Sequence, residues 1–260
     1  MTGKERMFIN ARDLLDGAIS AARAAAREIM AVYESTAQSR SKVDGSPVTE
    51  ADERASAMIA SKLAVLMPGC PIVCEESCDR PAVAATTERF WLVDPLDGTK
   101  EFLERNGEFT INIALIEGGE PAMGVVLAPA LGRLFAGVVG GDAFVEEKSS
   151  RTRLACRIAP PDGITVVGSR SHADAQAMNA FLGEKRVAQM LSAGSSLKFC
   201  MIAAGEADLY PRLGTTMEWD TAAGHAVVAA AGGRVTRVDG GELSYGKPGL
   251  LNPHFVAMGR

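Results

Sequence analysis

The sequence has 260 residues, of which 47% are hydrophobic and 23% are charged, and its formal net charge is −5. This composition is typical of a globular protein with one large or two modest domains. The negative charge argues against a protein that coats nucleic acid, because such proteins are usually basic. The negative net charge does not exclude a small anionic ligand, because a nearby cationic side chain or a bound metal reverses the local field.

The N-terminal segment and the cysteines predict an intracellular protein. The segment MTGKERMFINARDLLDG carries charges where a signal peptide needs an apolar core. No apolar run reaches the ~18 residues that would span a bilayer, so no integral membrane segment is expected. The five cysteines are an odd number and do not suggest a disulfide framework. Even Cys70, Cys74 and Cys78 lack the CxxC pairs of common zinc sites, so free thiols are expected.

In chain order, the first half predicts two helices followed by a group of strands. Apolar residues recur at helical spacing over 8–33, and a second helix is predicted over 49–67. Short strands are predicted around 71–74 and 90–93. From 109 to 145, strand-like runs broken by Gly-Gly and Pro predict an antiparallel meander.

The second half alternates between strands and helices. Residues 146–160 are polar and basic, which is typical of a link between domains. Strands are predicted at ITVVGS, VAQML and ADLY, and helices over 173–182, 196–205 and 220–231. This alternation is typical of an α/β unit. We therefore predict an α+β domain over 1–145 that holds a metal site, and an α/β domain over 146–260 that holds nucleotide-binding elements.

The motif WLVDPLDGTKEF ends a predicted buried strand in two carboxylates. Pro95 fixes one φ angle and Gly98 permits a tight turn, so Asp94 and Asp97 should lie close together. Two neighbouring carboxylates repel each other unless a cation intervenes. Mg²⁺ takes carboxylate and backbone carbonyl oxygens, and the turn would aim the Leu96 carbonyl at the same space. The turn therefore predicts a divalent metal site of the kind that serves phosphate chemistry.

Other acidic residues fall at the ends of predicted elements, and each also has an ordinary structural explanation. Asp52 follows Thr49 in an approximate capping box. Asp220 precedes an Ala-rich helix and is a candidate N-cap. Glu75 and Glu76 are candidates for a solvated pair. Taken one at a time, these explanations are at least as good as a role in catalysis.

Taken together, the motifs CEES, DPLDGT and WDTAAGHAVVAAAGG resemble those of the inositol monophosphatase superfamily in order and spacing. The resemblance covers nearly the whole chain and implies a layered αβαβα sugar-phosphatase fold that mixes α+β and α/β features. The stretches NGEFTINIALI, SRSHAD, AGSSLKFC and ADLYPR are similar to the bacterial 3'(2'),5'-bisphosphate nucleotidase branch. That branch implies a hydrolase of sulfur metabolism that converts 3'-phosphoadenosine 5'-phosphate (PAP) to AMP and phosphate by attack of a metal-activated water.

The resemblance also implies a cofactor and roles for individual residues. The cofactor is Mg²⁺, with two or three ions per site. The implied metal ligands are Glu75, Asp94, the Leu96 carbonyl, Asp97 and Asp220. Asp52 and Thr99 are implied to orient and deprotonate the attacking water. The implied substrate-binding residues are Glu75, Leu96, Asp97, Gly98, Thr99, Ser169, His172, Ser195, Lys198 and Asp220.

The segment AGSSLKFC predicts a second anion site for the 5'-phosphate. Ser195 or Ser196 would cap the helix that begins there, and a helix N-terminus attracts phosphate. Lys198 would add a full positive charge. Without the resemblance, an ordinary capped helix with a surface lysine is the better explanation.

Three other residues leave alternatives open. His225 lies inside the predicted helix that follows Asp220 and is expected to pack rather than to react. Tyr210 and Arg212 of LYPR are candidates for contacts with the base or the ribose.

Two alternative functions remain open at this point. The first is an inositol-1-phosphate or sugar-bisphosphate phosphatase on the same scaffold. The second is a non-catalytic regulatory protein that binds a metal and a nucleotide. We expect a small nucleotide bisphosphate as partner, no nucleic acid polymer, and a monomer or homodimer. We expect a cytoplasmic location, with peripheral association at the inner membrane as the second possibility, because some relatives associate with that membrane.

Overall fold

The computed structural model describes residues 10–38, 47–76, 87–170 and 175–260. Two helices come first in the chain: α1 (Ala11–Gln38) and α2 (Pro47–Leu66). Small and branched apolar residues along α1, among them Ala22 and Ile29, are fully buried against α2 and a β-sheet. Both predicted helices are confirmed, and α2 begins two residues before the predicted Thr49. Among the described residues, no helix is long and apolar enough to cross a bilayer.

The first sheet has seven strands, which lie side by side in chain order. The strands are β1 (Ile72–Cys74), β2 (Arg89–Asp97), β3 (Thr110–Glu117), β4 (Glu120–Ala128), β5 (Arg133–Val138), β6 (Ala143–Glu147) and β7 (Ser150–Arg153). β1 pairs with β2 in parallel, and every later pair is antiparallel, so the predicted meander is confirmed.

Two boundaries in this sheet differ from the prediction. β2 does not end at Val93 but continues through the DPLD motif to Asp97. The polar segment 146–160 is not a link along its whole length, because β6 and β7 extend the first sheet to Arg153. The exposed β7 carries only polar side chains, and an edge strand of this kind has the composition of a loop.

The first sheet separates two hydrophobic cores. Side chains alternate between the faces of a strand, so Trp91 and Val93 pack in the core beneath α1 and α2. Phe90 and Leu92 point to the opposite face and join the core shared with the second half of the chain. Both faces are covered, and β2 is accordingly apolar at almost every position before Asp94.

The second half of the chain forms a five-stranded sheet with three helices. Its elements are β8 (Ile164–Ser169), α4 (Ala175–Leu182), β9 (Val187–Ala193), α5 (Leu197–Ala203), β10 (Leu209–Arg212), α6 (Ala222–Ala230), β11 (Arg234–Arg237) and β12 (Phe255–Met258). The strand order is β11-β12-β10-β8-β9, with β8, β9 and β10 parallel. A short helix, α3 (Thr99–Leu103), follows β2, and 3₁₀ turns lie at Pro129–Leu131, Glu218–Asp220 and Pro248–Leu250.

The elements stack in five layers. α5 and α6 lie between the two sheets and share one core with both of them. α4 covers the outer face of the second sheet, where Met178 and Leu182 pack on Val166 and Leu209. The order of layers is therefore α1/α2, first sheet, α5/α6, second sheet and α4, which confirms the predicted αβαβα fold. A domain boundary near residue 145 stays a prediction.

Candidate active site

A cleft of about 510 Å³ lies where strand ends from both sheets meet. Glu75 follows β1, Asp97 ends β2, Ser169 ends β8 and Arg212 ends β10, so four strands present their carboxyl ends to it. Ligand sites of α/β sheets are commonly found at such ends. The predicted residues that line the cleft are Glu75, Asp94, Leu96, Asp97, Gly98, Thr99, Ser169, Ser195, Lys198 and Asp220.

A β-bulge places Asp94 and Asp97 on the same side of the sheet. Residues three apart on a regular strand point to opposite faces. Here Asp94 pairs with Asn112 and Asp97 pairs with Thr110, so two residues of β2 lie opposite Ile111 alone. The extra residue cancels the alternation, and both carboxylates reach the cleft. Proline suits this position because it has no N–H group to donate to a ladder.

Leu96 and Gly98 shape the main chain around these carboxylates. The Leu96 side chain is buried in the core beneath α1 and α2, so its main chain is the part that faces the cleft. The Leu96 N–H donates to Asp94 Oδ1 at 3.1 Å. Gly98 has φ +92°, and a Cβ there would lie 2.1 Å from Ser195 Oγ. Any other residue at position 98 would clash with Ser195 and strain the backbone.

The carboxylates of the cleft repel one another. Burial, followed by the charges of Asp97, Glu75 and Asp220, raises the pKa of Asp94 well above its usual value. Burial and the Asp97 charge raise the pKa of Asp220 to about 7. Burial also raises the pKa of Asp97, although Lys198 opposes this effect. A bound cation would reverse these shifts, because it favours the ionised form of every carboxylate around it.

The donor set fits Mg²⁺ better than a softer metal. In the part of the chain that the structure describes, no group of three or more His, Cys, Asp or Glu side chains is arranged to hold a metal ion by itself. Mg²⁺ does not require one, because it is usually held by one or two carboxylates together with waters and phosphate oxygens. The cleft offers hard oxygen donors from carboxylates and main chain, which is the chemistry that Mg²⁺ selects.

The structural explanations for Asp52 and Asp220 are wrong. α2 begins at Pro47, so Thr49 lies inside the helix and cannot form a capping box with Asp52. Burial and the charges of Glu76 and Glu75 raise the pKa of Asp52 to about 7, and its Oδ1 atom is buried without a hydrogen-bond partner. Asp220 ends a 3₁₀ turn, where its Oδ2 accepts the Met217 N–H at 2.8 Å, and it is not the N-cap of α6.

The segment around Ser195 and Ser196 departs from the prediction. Ser196 precedes α5, but its hydroxyl makes no capping bond. It contacts Asp97 Oδ2 at 3.0 Å and the Asp220 carbonyl at 2.8 Å. The Ser195 hydroxyl donates to the Asp97 carbonyl at 2.8 Å. Both serines therefore bind the segments that carry Asp97 and Asp220 rather than the helix.

Lys198 is not a surface residue. Its side chain is 4% exposed, and its ammonium group donates to the carbonyls of Ala193 at 3.3 Å and Ser195 at 2.5 Å. Burial lowers the pKa of Lys198 to about 8, against the opposing effect of the Asp97 carboxylate. Lys198 thus supplies positive charge to the wall of the cleft beside Asp97.

The remaining residues singled out in the sequence either pack in the interior, line the cleft or lie outside the described residues. His225 is packed as expected, with its Nδ1 3.0 Å from the Tyr245 hydroxyl, and burial lowers its pKa to about 4. Tyr210 lines the cleft but packs edge-on against Phe199. Cysteines 70, 74, 156 and 200 are free thiols. Cys78 and His172 lie outside the described residues.

The structure also brings residues into the site that sequence reasoning left weak or missed. Arg212 lines the cleft, and its Nε is buried with no hydrogen-bond partner while its Nη2 donates to the Thr215 carbonyl at 3.0 Å. Asn112 and Ser196 contact Asp97 directly. The signal for Asn112 was available, because it is a buried amide in the otherwise apolar strand TINIALIE.

Known proteins resemble this chain over nearly its full length. The 3'(2'),5'-bisphosphate nucleotidase CysQ of Escherichia coli (strain K12) is 47% identical over 245 residues, which are 93% of this chain and 98% of that protein. The crystal structure of CysQ from Bacteroides thetaiotaomicron, a bacterial member of the inositol monophosphatase family, has a TM-score of 0.86 and 37% identity, covering 98% of this chain and 99% of that one. The Thermotoga maritima IMPase has a TM-score of 0.74 and 26% identity, covering 94% and 91%.

The family relationship follows from agreement between sequence, fold and site. The model of the inositol monophosphatase family matches residues 10–257, which include every described acidic residue of the cleft. On this basis the chain belongs to the inositol monophosphatase family.

Proposed function

We propose that this chain is a Mg²⁺-dependent 3'(2'),5'-bisphosphate nucleotidase that removes the 3'-phosphate of PAP to give AMP and phosphate. The observation that carries the proposal is one cleft with an acidic wall and a basic wall. Glu75, Asp94, Asp97 and Asp220 line the cleft and would hold cations, and Arg212, which lines the same cleft, would hold an anion. A substrate with one phosphate to cleave and another to anchor suits both walls. The relatives named 3'(2'),5'-bisphosphate nucleotidase support the choice of substrate.

The acidic wall is assigned to the cofactor. Glu75, Asp94, Asp97, Asp220 and the main-chain carbonyl of Leu96 would hold two or three Mg²⁺ ions. When bound, Mg²⁺ lowers the pKa of a coordinated water and offsets the negative charge of a transferring phosphoryl group.

Asp52 and Thr99 are assigned to the attacking water. The Oδ1 atom of Asp52 is buried without a hydrogen-bond partner, so it is an acceptor that a proton of the attacking water would satisfy. The Thr99 hydroxyl, at the start of α3 on the rim of the cleft, would orient the water for in-line attack on phosphorus. The backbone N–H groups of Gly98 and Thr99 would bind the phosphoryl oxygens, as pre-positioned donors do in many phosphoryl transfers.

The basic wall is assigned to the 5'-phosphate. The unpartnered Arg212 Nε is a donor that a phosphate oxygen would satisfy, and an arginine suits two-point contact with phosphate. Ser169 and Ser195 add hydroxyl groups at the lip of the cleft. Lys198 adds charge from within the wall, although its three hydrogens are largely used by backbone carbonyls.

The oligomeric state, a monomer or a homodimer, stays a prediction. The cytoplasmic location stays a prediction.

Phosphate release from PAP and from inositol-1-phosphate tests the proposal directly. We expect rapid release from PAP with Mg²⁺, none with a chelator, and a much lower rate with inositol-1-phosphate. Equal or reversed rates for the two substrates would favour the inositol phosphatase alternative. If no phosphate monoester is hydrolysed with Mg²⁺, the alternative of a non-catalytic binding protein is supported instead.

Arg212→Ala tests the assignment of the basic wall. A hydrogen bond to a charged group contributes about 1.5–3 kcal/mol, which corresponds to about a 10–100-fold rise in KM for PAP. The matched substrate is 3'-AMP, which lacks the 5'-phosphate. Its kinetics should change little in the variant. A similar rise in KM for both substrates would show that Arg212 does not contact the 5'-phosphate.

A further inference from the structure

The Asp97 carboxylate is held by a buried network of side chains that has no assigned role in the reaction. Asn112 Nδ2 lies 3.3 Å from Asp97 Oδ2 and 2.9 Å from Ser196 Oγ. Ser196 Oγ lies 3.0 Å from the same carboxylate oxygen and 2.8 Å from the Asp220 carbonyl. Asn112 and Ser196 are each 1% exposed.

We propose that Asn112 and Ser196 form a positioning pair that fixes the metal-ligand segments of the two halves of the chain relative to each other. The inference rests on the proposed function, because it concerns the cation that Asp97 and Asp220 would bind. Asn112 belongs to the first sheet, and Ser196 belongs to the segment between β9 and α5 of the second. The pair therefore bridges two parts of the fold that each contribute one ligand.

The hydrogen bonds determine the orientation of the network. The Thr110 hydroxyl lies 3.2 Å from Asn112 Oδ1, which places the Asn112 carbonyl toward Thr110 and its NH₂ group toward Ser196. Ser196 Oγ accepts one hydrogen of that NH₂ group. Its own single hydrogen is then available for Asp97 Oδ2 or for the Asp220 carbonyl. In either case the hydroxyl holds its place between the two ligand residues.

The network also fixes the orientation of the Asp97 carboxylate. Asn112, Ser196 and the Thr110 hydroxyl at 3.3 Å all converge on Oδ2. Rotation of the carboxylate would break these contacts, so the network fixes the orientation in which Asp97 would meet a cation. Partners of this kind orient metal ligands, and their loss typically costs about 10–100-fold in metal affinity.

Calorimetric titration of the purified full-length protein with MgCl₂ tests the proposal without relying on catalysis. For Ser196→Ala we expect the dissociation constant for Mg²⁺ to rise by about 10–100-fold relative to wild type. Turnover of PAP should recover when Mg²⁺ is raised to saturate the variant. Ser196→Thr keeps the hydroxyl and should restore most of the affinity. If Ser196→Ala does not fold, Ser196→Cys, which keeps the size but weakens the donor, carries the same expectation.

Thr165→Ala is the matched control. Thr165 is a buried hydroxyl residue near the start of β8, away from the cleft, so its loss tests the general effect of removing a hydroxyl from the interior. We expect its Mg²⁺ affinity to equal that of wild type. Unchanged Mg²⁺ affinity in Ser196→Ala would overturn the positioning role and leave the proposed function intact. Absence of Mg²⁺ binding in the wild-type protein would overturn both.

Discussion

Asp94→Asn is expected to reduce PAP turnover by more than about 100-fold while raising the melting temperature of the metal-free protein. The loss of activity follows because an amide cannot replace a charged metal ligand, and even residues that only orient ligands contribute about 10–100-fold. The gain in stability follows because Asp94 is 1% exposed and faces Asp97, Glu75 and Asp220. An asparagine removes that repulsion and can still accept the Leu96 N–H.

The measurement is a thermal melt in chelator, paired with phosphate release in Mg²⁺. A rise of about 2–4 °C would correspond to about 1 kcal/mol in a chain of this size. Mg²⁺ should stabilise the wild type more than the variant. Asp16→Asn, at an exposed position on α1, is the control and should change neither property. Full activity of Asp94→Asn would remove Asp94 from the metal site.

The metal-free protein is also expected to lose stability as the pH rises from about 4 to about 7. The pKa values of Asp52 and Asp220 are raised from 3.8 to about 7 in the folded protein. Between these values the folded state binds more protons than the unfolded state, so unfolding becomes easier with increasing pH. The stability that protonation of these two carboxyl groups contributes is fully present below their unfolded pKa of 3.8. It is lost as the pH rises through their folded pKa of about 7.

Mg²⁺ should reverse this trend, because it binds the ionised carboxylates. Thermal melts at pH 5, 6, 7 and 8, with chelator and with Mg²⁺, should give a Mg²⁺-dependent gain in melting temperature that is smallest at pH 5 and largest at pH 8. Asp220→Asn removes one of the titrating groups. In chelator, the melting temperature of this variant should therefore decrease less with rising pH than that of the wild type. A gain that is independent of pH would contradict the electrostatic account of the cleft.

Local pattern was sufficient to predict most helices and strands, whereas the order of the layers was implied by the resemblance to a known superfamily. The period of α1, the apolar runs of β2 and β3, and the strand-helix alternation of the second half each report the burial of their own residues. β7 was missed because its residues are all exposed, so its pairing with β6 leaves no apolar pattern. The start of α2 was misplaced because Thr49 and Asp52 match a capping pattern that the helix does not use.

Residues of the candidate site were predictable where a single motif, DPLDGT, places two of them close together. The spacing of Asp94 and Asp97 around a proline indicated a shared ligand position, and the bulge explains how a strand achieves it. The contacts of Ser196 were not predictable from its own segment, because they are made with Asp97 of β2 and with Asp220, which are distant in the chain. Long-range contacts of this kind leave no periodic signal in the sequence.

A crystal soaked in Mn²⁺, which shares the octahedral oxygen coordination of Mg²⁺, tests the central claim most directly through its anomalous signal. The account predicts at least one ion in the cleft, within coordinating distance of carboxylate oxygens from Asp94, Asp97 or Asp220. Anomalous peaks found only outside this cleft, with those carboxylates bound to nothing but protein and water, would contradict it.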